Sequence, residues 1–550
     1  GDNTGESTDE EDSGKSTDEE DSGKSTDEED SGESTDEEDS GESTDEVPTE
    51  FEEPIVLYNG KVYTASEQEN QKWKEAVAIK NGKFVAVGDS QQVLQANQGG
   101  TRIDLEGRLV VPGLNDAHVH LLPGALGQPI NNPVDFIPGP GPTIEDMEGM
   151  IASVVSLHPA GTWLYGSVGE EFIEDQRAHR DTLDAVSPDH PVVLQNWAGH
   201  NLYINTKAME TMGLDEYTPD PFGGYYGRYS GTGAINGVLY EYAEYEFIRR
   251  IRLTLTTEQI RDLFLEVLGT LPRLGITSVQ NMDWLPWDKL EEIFEDTKIP
   301  VRVRLICFPV DPDEAQECQP PPSGANIHNM VTFKGVKWIL DGTPVERLAA
   351  LIDPYTDAPS EYGYSVFPEE EYEDVFDEAI NSGAPGVSQR LYHAIGDRAV
   401  TNVLAAMDAV APDGQWRPRR VRIEHGDMIR PDQIERLVSM GVMVVQNPTH
   451  FALPALYMAR FGPERVATVQ PLKSLIEGGV VVALGSDAIG PGGNPFVDMM
   501  FAVLHPTNPA EAITMEQALV AYTRNAAYAE FAEKHKGEIK NGKFADLAVL

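Results

Sequence analysis

Eight short β-rich segments, each running into polar residues, recur between residues 109 and 485 of the 550-residue chain. They lie at 109–116, 276–281, 301–308, 335–340, 389–393, 421–425, 442–447 and 480–485. Helical patterns occupy several of the spacers, at 257–274, 369–382 and 431–440. Strand and helix alternating eight times is typical of a (β/α)₈ barrel, so we expect an α/β fold with a TIM-like barrel.

The predicted barrel, residues 109–536, is longer than the ~250 residues that this fold typically needs. One large insertion after strand 1, at about 121–260, explains the surplus and contains a strand-like stretch of its own at 191–196. Active sites of such barrels lie among the loops at the C-terminal ends of the strands. We therefore expect the insertion to cover the active face and to shape a substrate pocket.

Both ends of the globular chain carry hairpin signals. Asn-Gly pairs at 59–60, 81–82 and 541–542 each separate two β-rich runs, and this arrangement is a strong hairpin signal. The pattern predicts that residues 54–108 and 537–550 combine into one small β-sandwich.

Residues 1–53 form an acidic linker built on a nonapeptide repeat, Ser-Thr-Asp-Glu-Glu-Asp-Ser-Gly-Lys/Glu, that starts at Ser7. The repeat contains no large apolar residue, so nothing offsets the entropy cost of ordering, and we expect a disordered, extended spacer. A weak Ca²⁺-binding or surface-tethering stalk stays open, although the pattern of an ordered EF-hand loop is absent. The formal net charge of −51 excludes general attraction to nucleic acid or an anionic membrane.

The sequence contains no apolar run long enough to span a membrane, and it begins at Gly1 rather than Met. These features lead us to expect an exported protein (periplasmic, at the cell surface or secreted) whose signal peptide was removed. A lipoprotein with its lipid anchor upstream of Gly1 is one such protein. Cys307 and Cys318 are too few for a disulfide scaffold, and whether they pair stays open.

Six ionisable residues share one placement, at or near the C-terminal end of a predicted strand. They are His118, His120, Lys337, His393, His425 and Asp487. Each has a structural alternative, such as a buried imidazole bonded to backbone or a helix-capping carboxylate, but independent accidents would not all fall at strand ends. Imidazole and carboxylate ligands suit Zn²⁺ or a similar first-row metal. The set therefore predicts a metal site at one mouth of the barrel.

Several stretches of the chain are similar to one enzyme superfamily. They are VVPGLNDAHVH at 110–120, LDAVSPDHPVVL at 183–194, GHN at 199–201, GVKWILDGT at 335–343, HAIGDRAV at 393–400, RIEH at 422–425, ALGSDA at 483–488 and NGKFADLAVL at 541–550. On these motifs residues 54–550 resemble the metal-dependent amidohydrolase superfamily. Within it they look most like the family 3 branch of exoenzyme-like and N-substituted formamide deformylase-like hydrolases.

The resemblance implies how the ligands are shared. His118, His120 and Asp487 would bind the more buried metal ion, while His393 and His425 would bind a second one. The implied ion is Zn²⁺, with Mn²⁺ or Fe²⁺ as alternatives.

Lys337 matches a position that, in binuclear members of the superfamily, can be carboxylated and bridge both ions. A carbamate is an anion with two oxygen ligands, whereas a lysine ammonium is a cation and a poor ligand. If Lys337 stays unmodified, a mononuclear site becomes the better model.

The implied reaction is hydrolysis of an amide-type, non-peptide C–N bond in a small molecule. A metal-activated hydroxide would attack the carbonyl, Asp487 would act as general base and then general acid, and His425 or the metal would stabilise the oxyanion. Two alternatives stay open: deamination of a heterocycle at a mononuclear site, and a catalytically inactive secreted binding protein.

Candidate substrate contacts in the insertion are His200, Trp163, Arg228, Glu170, Tyr225 and Tyr226. The aromatic residues of the insertion favour an apolar or aryl-bearing amide. The expected partner is the small-molecule substrate, without nucleic acid, and a homodimer stays open.

Overall fold

A computed structural model describes residues 53–122, 126–131, 139–310, 318, 326–328, 330–368, 372, 376, 389–490 and 493–550, with backbone alone at 326–328. The described residues from 53 to 550 belong to one structural unit. The acidic repeat and most of the predicted helix at 369–382 lie outside the described residues.

Eight parallel strands in chain order form the central sheet, which confirms the predicted (β/α)₈ fold class. The strands are β1 (Leu114–Val119), β2 (Ile276–Asp283), β3 (Arg302–Cys307), β4 (Val331–Ile339), β5 (Arg390–Ala394), β6 (Arg422–His425), β7 (Met443–Gln446) and β8 (Val482–Leu484). Nearly all of their side chains are buried because one face of the sheet fills the barrel and the other packs against helices. A short antiparallel strand, Asn326–His328, adds to β4.

Backbone hydrogen bonds between β1 and the segment after β8 close the barrel. The Asp487 amide donates to His118 O (2.8 Å), the His120 amide to Ala488 O (2.9 Å) and the Gly490 amide to His120 O (2.7 Å). The ring is therefore completed by the stretches that carry three of the predicted metal ligands.

The prediction of a single first strand at 109–116 is wrong. Leu109–Pro112 belongs to a separate small sheet, where it pairs antiparallel with Leu547–Val549, and β1 begins only at Leu114. Gly113 lies between them in close contact with β2, since a Cβ there would lie 2.0 Å from the Thr277 hydroxyl. One continuous apolar run thus serves two sheets.

Helices follow the strands around the barrel. They are Thr257–Thr270, Trp287–Phe294, Asp397–Val410, Asp413–Trp416, Ile434–Met440, Pro454–Val466, Leu472–Gly478, Pro495–Leu504, Met515–Val520 and Ala526–Ala529. The predicted helix at 257–274 is confirmed as Thr257–Thr270 with a 3₁₀ turn, and it begins at a Thr256 capping box. The pattern at 431–440 is likewise a 3₁₀ turn followed by Ile434–Met440.

Two four-stranded sheets contain the first strands of the described chain, and one of them also includes the last strand. One contains Ile55–Tyr58, Ala76–Lys80, Lys83–Gly88 and Thr101–Asp104, and the other contains Lys61–Tyr63, Trp73–Lys74, Leu109–Pro112 and Leu547–Val549. A short helix, Ser90–Ala96, packs beside the first sheet.

Of the three hairpins predicted at Asn-Gly pairs, only the one at 81–82 forms. The pair at 541–542 makes a turn without a strand before it, and the strand that follows, Leu547–Val549, pairs with Leu109–Pro112 instead. The Asn-Gly pair at 81–82 joins two antiparallel strands. The pair at 59–60 instead passes the chain from one sheet to the other, because Lys61–Tyr63 pairs in parallel with Leu109–Pro112. The Asn59 side chain is held by Asp104 (2.8 Å) at this crossing.

The insertion carries a six-stranded sheet. Its strands are Gln128–Pro129, Leu164–Val168, Val192–Asn196, Asn201–Ile204, Gly224–Arg228 and Ile235–Glu241. Its helices are Ile144–Val155, Glu170–Ile173, Arg180–Val186, Thr206–Met212 and Tyr242–Arg252. Val192–Asn196 confirms the strand predicted at 191–196.

The structure pairs Cys307, the last residue of β3, with Cys318 in a disulfide, and so answers a question that the sequence left open. In the part of the chain that is described, none of the helices has both the length and the apolar character needed to cross a bilayer.

Replacing Asp546 by Ala should destabilise the protein by about 1.5–3 kcal/mol, the usual range for a hydrogen bond to a charged group. Asp546 joins the C-terminal segment to β3 through two contacts with Arg302 (2.8 and 3.2 Å), and the two side chains are only 18% and 17% exposed. Urea unfolding followed by circular dichroism measures the change. Glu145→Ala is the matched control because its ion pair with Arg177 is well exposed, and equal midpoints for the two variants would contradict the expectation.

Candidate metal centre

A cavity at the C-terminal ends of the barrel strands brings together residues from the barrel and from the insertion. Six histidines line it, together with Lys337 and Asp487: His118, His120, His200, His393, His425 and His450. All six residues predicted from the strand ends therefore face one cavity.

His118 and His120 are held so that the same ring nitrogen of each faces Asp487. His118 Nδ1 contacts Glu424 Oε2 (2.7 Å), and His120 Nδ1 contacts the carbonyl of Met282 (2.7 Å). The Nε2 atoms then lie 3.1 and 3.5 Å from Asp487 Oδ1. A carboxylate or carbonyl behind a ligating imidazole is the usual support of a metal site, because it selects the tautomer and the ring orientation.

His425 and His393 extend the site towards the insertion. His425 Nδ1 lies 3.8 Å from Asp487 Oδ2, and the rings of His393 and His425 have centroids 4.4 Å apart. Within the described residues, His425 Nδ1 and His393 Nε2 are buried nitrogens without a hydrogen-bond partner. Buried polar atoms are rarely left unpaired, so these two atoms fit ligands of an ion.

The ligand atoms of His118, His425 and Asp487 all lie within 4.8 Å of one another, close enough to hold one metal ion. Two of these residues have positive φ angles, 69° at His425 and 54° at Asp487. Left-handed backbone at a non-glycine residue costs about 1–3 kcal/mol and collects at functional sites. The donor set and its geometry therefore fit a divalent first-row metal.

The electrostatics of the cavity favour ligation. Burial lowers the pKa values of His120, His393 and His425, so these imidazoles stay neutral and keep a lone pair for a metal. Burial alone would raise the pKa of Asp487, but His118, His120 and His450 outweigh it and hold that pKa well below its ordinary value. Asp487 is thus an anion beside the neutral imidazoles of His120 and His425. At His450 burial is outweighed by the contacts with Asp427 and Asp487, which raise its pKa to about 10.

Lys337 is 1% exposed and faces the cavity from β4. Burial lowers the pKa of its amine to about 8, against the opposing pull of Glu424 and Asp487. A larger fraction of this amine is therefore neutral near pH 7 than for an exposed lysine, and a neutral amine is the form that reacts with CO₂. The chemistry of the position fits carboxylation.

His450 also lines this cavity, but it was not among the residues predicted from the sequence. It lies in the 3₁₀ turn Pro448–Ala452 after β7. Its Nε2 is 3.5 Å from Asp487 Oδ2 and its Nδ1 is 3.6 Å from Asp427 Oδ2. Tyr457 in turn donates a hydrogen bond to that Asp427 oxygen (2.5 Å). His450 lies three residues beyond the predicted strand at 442–447, and His120 lies four beyond the one at 109–116. The same search applied to the seventh strand would have found it.

Among the proposed substrate contacts, the structure places only His200 in the cavity lining. Arg228 lies on the edge strand of the insertion sheet, where it bonds to Thr218 O and Asp220. Trp163 packs against the hydrophobic core. Trp163, Arg228 and the other candidates, Glu170, Tyr225 and Tyr226, are not among the described residues of the cavity lining. Their contact with substrate stays a prediction.

The aromatic wall of the cavity is built from residues that the sequence did not single out. They are Tyr165, Trp197, Tyr245, Trp284 and Phe308. Trp284 stacks on His120 (centroids 5.5 Å apart) and on Tyr245 (5.3 Å).

A barrel whose strand ends gather four imidazoles, a lysine and a carboxylate has the site of a metal-dependent hydrolase. The model of the amidohydrolase family matches residues 101–550, and the chain belongs to that family. The membership predicted from the sequence motifs is thereby confirmed.

Relatives and solved structures agree with this membership. Protein LONG AFTER FAR-RED 3 of Arabidopsis thaliana is 28% identical over 92% of this chain and 88% of that protein. N-substituted formamide deformylase of Arthrobacter pascens is 25% identical over 86% of this chain and 90% of that enzyme. The crystal structure of an uncharacterized metal-dependent hydrolase from Pyrococcus furiosus is 25% identical, with a TM-score of 0.67, over 90% of this chain and 98% of that one.

Replacing Glu424 by Gln should weaken zinc binding about 10- to 100-fold, the usual effect of losing a group that orients a ligand. Glu424 is fully buried between His118 and Arg422, whose guanidinium contacts it at 2.8 and 3.0 Å. Competition with a chelator of known zinc affinity measures the change. Glu533→Gln is the control, since it alters a comparable pair with Arg420 outside the cavity lining. Unchanged zinc affinity in the Glu424 variant would refute the positioning role.

Proposed function

We propose that this protein hydrolyses an amide-type C–N bond, other than a peptide bond, in a small molecule. The observation that carries the proposal is the position of Asp487. Its two carboxylate oxygens lie within 4 Å of ring nitrogens of His118, His120, His425 and His450. A carboxylate so placed can both hold a metal and exchange a proton with the reacting groups.

His118, His120 and Asp487 would hold one divalent ion, and His393 and His425 a second, with a carboxylated Lys337 between them. We propose Zn²⁺ for both positions, because the donor set of imidazole and carboxylate suits that ion. When bound, such an ion lowers the pKa of a coordinated water towards ~7 and polarises a carbonyl oxygen.

The residues of the chain would move the proton and stabilise charge. Asp487 would accept a proton as the water oxygen adds to the carbonyl carbon, and would deliver it to the amine nitrogen as the C–N bond breaks. His425 would stabilise the negative charge that develops on the carbonyl oxygen. His450, between Asp487 and Asp427, would hold the Asp487 carboxylate in place.

The walls of the cavity support an apolar or aryl-bearing substrate. Trp197, Trp284 and Phe308 offer apolar surface next to the metal ligands, and arginine is absent among the described residues of the lining. The similarity to an N-substituted formamide deformylase adds N-formyl amines to the compounds worth testing.

A panel of N-benzylformamide, 4-nitroacetanilide, hydantoin and adenine tests the proposal with purified zinc-loaded protein. We expect hydrolysis of at least one of the first three compounds, with amine release from the two open-chain amides and ring opening to N-carbamoylglycine for hydantoin. Asp487→Asn should lower that kcat about 10²- to 10⁴-fold, as for a lost general acid–base group. Asp184→Asn is the matched control, because Asp184 bonds Thr206 at the start of a helix. Turnover of adenine alone would favour the deaminase, and equal rates in both variants would refute the mechanism.

Carboxylation of Lys337 can be observed directly. Incubation with ¹³C-bicarbonate should produce a carbamate carbon signal in the NMR spectrum and about two zinc ions per chain, as in other two-metal sites. Both should be lost in Lys337→Arg. Lys334→Arg, on the same strand but outside the cavity lining, should retain both. One ion per chain without a carbamate signal would favour the mononuclear site.

A further inference from the structure

The insertion presents a polar wall to the cavity, and a carboxyl group contacts each side chain of that wall. Gln195, Asn196 and His200 form the wall. Gln195 Nε2 donates to Glu244 (2.7 Å), the Asn196 amide donates to Glu346, and His200 Nδ1 contacts Glu241 (2.8 Å). Three polar side chains held in place by carboxyl groups, next to aromatic residues, indicate that this wall binds a polar group of a ligand.

His200 continues the row of imidazoles that begins at the metal ligands. Its ring centroid is 4.6 Å from that of His393, and it is 6% exposed. Its Nδ1 is hydrogen-bonded to Glu241 and also lies 3.2 Å from the Tyr245 hydroxyl. No described group forms a hydrogen bond with its Nε2, which leaves that atom to a ligand in the cavity.

Three features of Glu241 are unfavourable for the stability of the folded chain. It is fully buried, one of its oxygens (Oε1) has no hydrogen-bond partner within the described residues, and its φ is 52°. A glycine would make the same turn into helix Tyr242–Arg252 without strain. Gly342 leaves the room that this carboxyl needs, since a Cβ there would lie 2.4 Å from Glu241 Oε1.

The strain at Glu241 resembles that at the metal ligands. Left-handed backbone occurs in this cavity at His425 and Asp487, both of which hold side chains at the reacting centre. Strained non-glycine residues persist where the surrounding structure requires a particular side-chain position. The strained backbone at Glu241 places its carboxyl group where it orients His200.

His200 differs from the metal ligands in its place in the fold. It comes from the insertion rather than from the end of a barrel strand. Its neighbours on the wall, Gln195 and Asn196, are amides, which are weaker zinc ligands than imidazole, thiolate or carboxylate.

We propose that His200 is a catalytic residue that hydrogen-bonds the amide group of the substrate through Nε2, and that Glu241 is the positioning residue that holds its ring. This inference rests on the proposed amide hydrolysis. It assigns to the insertion a direct contact with the reacting end of the substrate, in addition to the pocket walls. The substrate would be an amide whose apolar or aryl part lies against Trp284 and Phe308.

The test compares His200→Ala, His200→Gln and Glu241→Gln on whichever panel amide the wild-type protein cleaves, with zinc content measured for each. We expect kcat of His200→Ala to fall about 10²-fold, because Nε2, which accepts from the amide N–H while Nδ1 donates to Glu241, no longer positions the substrate. KM should change little, because the contact strengthens in the transition state. His200→Gln should recover part of kcat, and Glu241→Gln should lower kcat with zinc content unchanged.

His190→Gln is the matched control, since His190 is a buried histidine of the same insertion that contacts the carbonyl of His158 (3.2 Å). Its kcat and KM should equal those of the wild type. If His200→Ala does not fold, His200→Gln serves as the test, and a wild-type kcat in that variant would overturn the inference. Loss of zinc from either His200 variant would also overturn it, because His200 would then be a metal ligand. Failure of wild-type protein to cleave any panel amide would overturn the proposed function and this inference together, whereas cleavage that is equal in all variants would overturn the inference alone.

Discussion

The hydrogen bonds that close the barrel between β1 and the segment after β8 also position the metal centre. The amide and carbonyl groups of His118, His120 and Asp487 take part in that closure, so the ligand side chains project from a fixed ring rather than from loops. Gly485 allows this close approach, because a Cβ there would lie 2.5 Å from the His118 amide nitrogen. Loss of closure would separate the ligands, and the fold and the site therefore depend on the same contacts.

Below the ligands, the barrel interior contains charged groups that support them. Arg422 bonds both oxygens of Glu424 and the carbonyl of Ala117, and Glu424 bonds His118. Buried charges cost stability unless they are paired and hydrogen-bonded, and here they are. Glu424 therefore fixes the orientation of the His118 ring through Nδ1, while Nε2 faces the cavity. The positive φ angles at His425 and Asp487 show that part of the folding free energy is given up for this arrangement.

The sequence was informative where a short-range pattern decides the structure. Strand ends in a parallel barrel meet at one mouth, so His118, His393 and Asp487 could be brought together from their order along the chain. The sequence was misleading where one continuous segment belongs to two sheets. Residues 109–116 are shared between two sheets, and Asn59-Gly60 passes the chain from one sheet to another instead of making a hairpin. His450 and Glu241 could not be ranked above other residues, because their importance depends on what lies across the cavity from them. Export of the protein and the disorder of its acidic repeat stay predictions.

By itself, the sequence determined the class of fold, the family and the identity of the six residues at the strand ends. These follow from periodicity and from local motifs, which depend on neighbours within a few residues. Tertiary structure alone decided which insertion residues reach the cavity, placing His200 there and leaving Trp163 and Arg228 outside. It also decided which groups orient the imidazoles. Glu424, for example, orients His118, which lies 306 positions earlier in the chain. Contacts between such distant residues depend on how the strands and the insertion pack, and no local pattern in the chain encodes that packing.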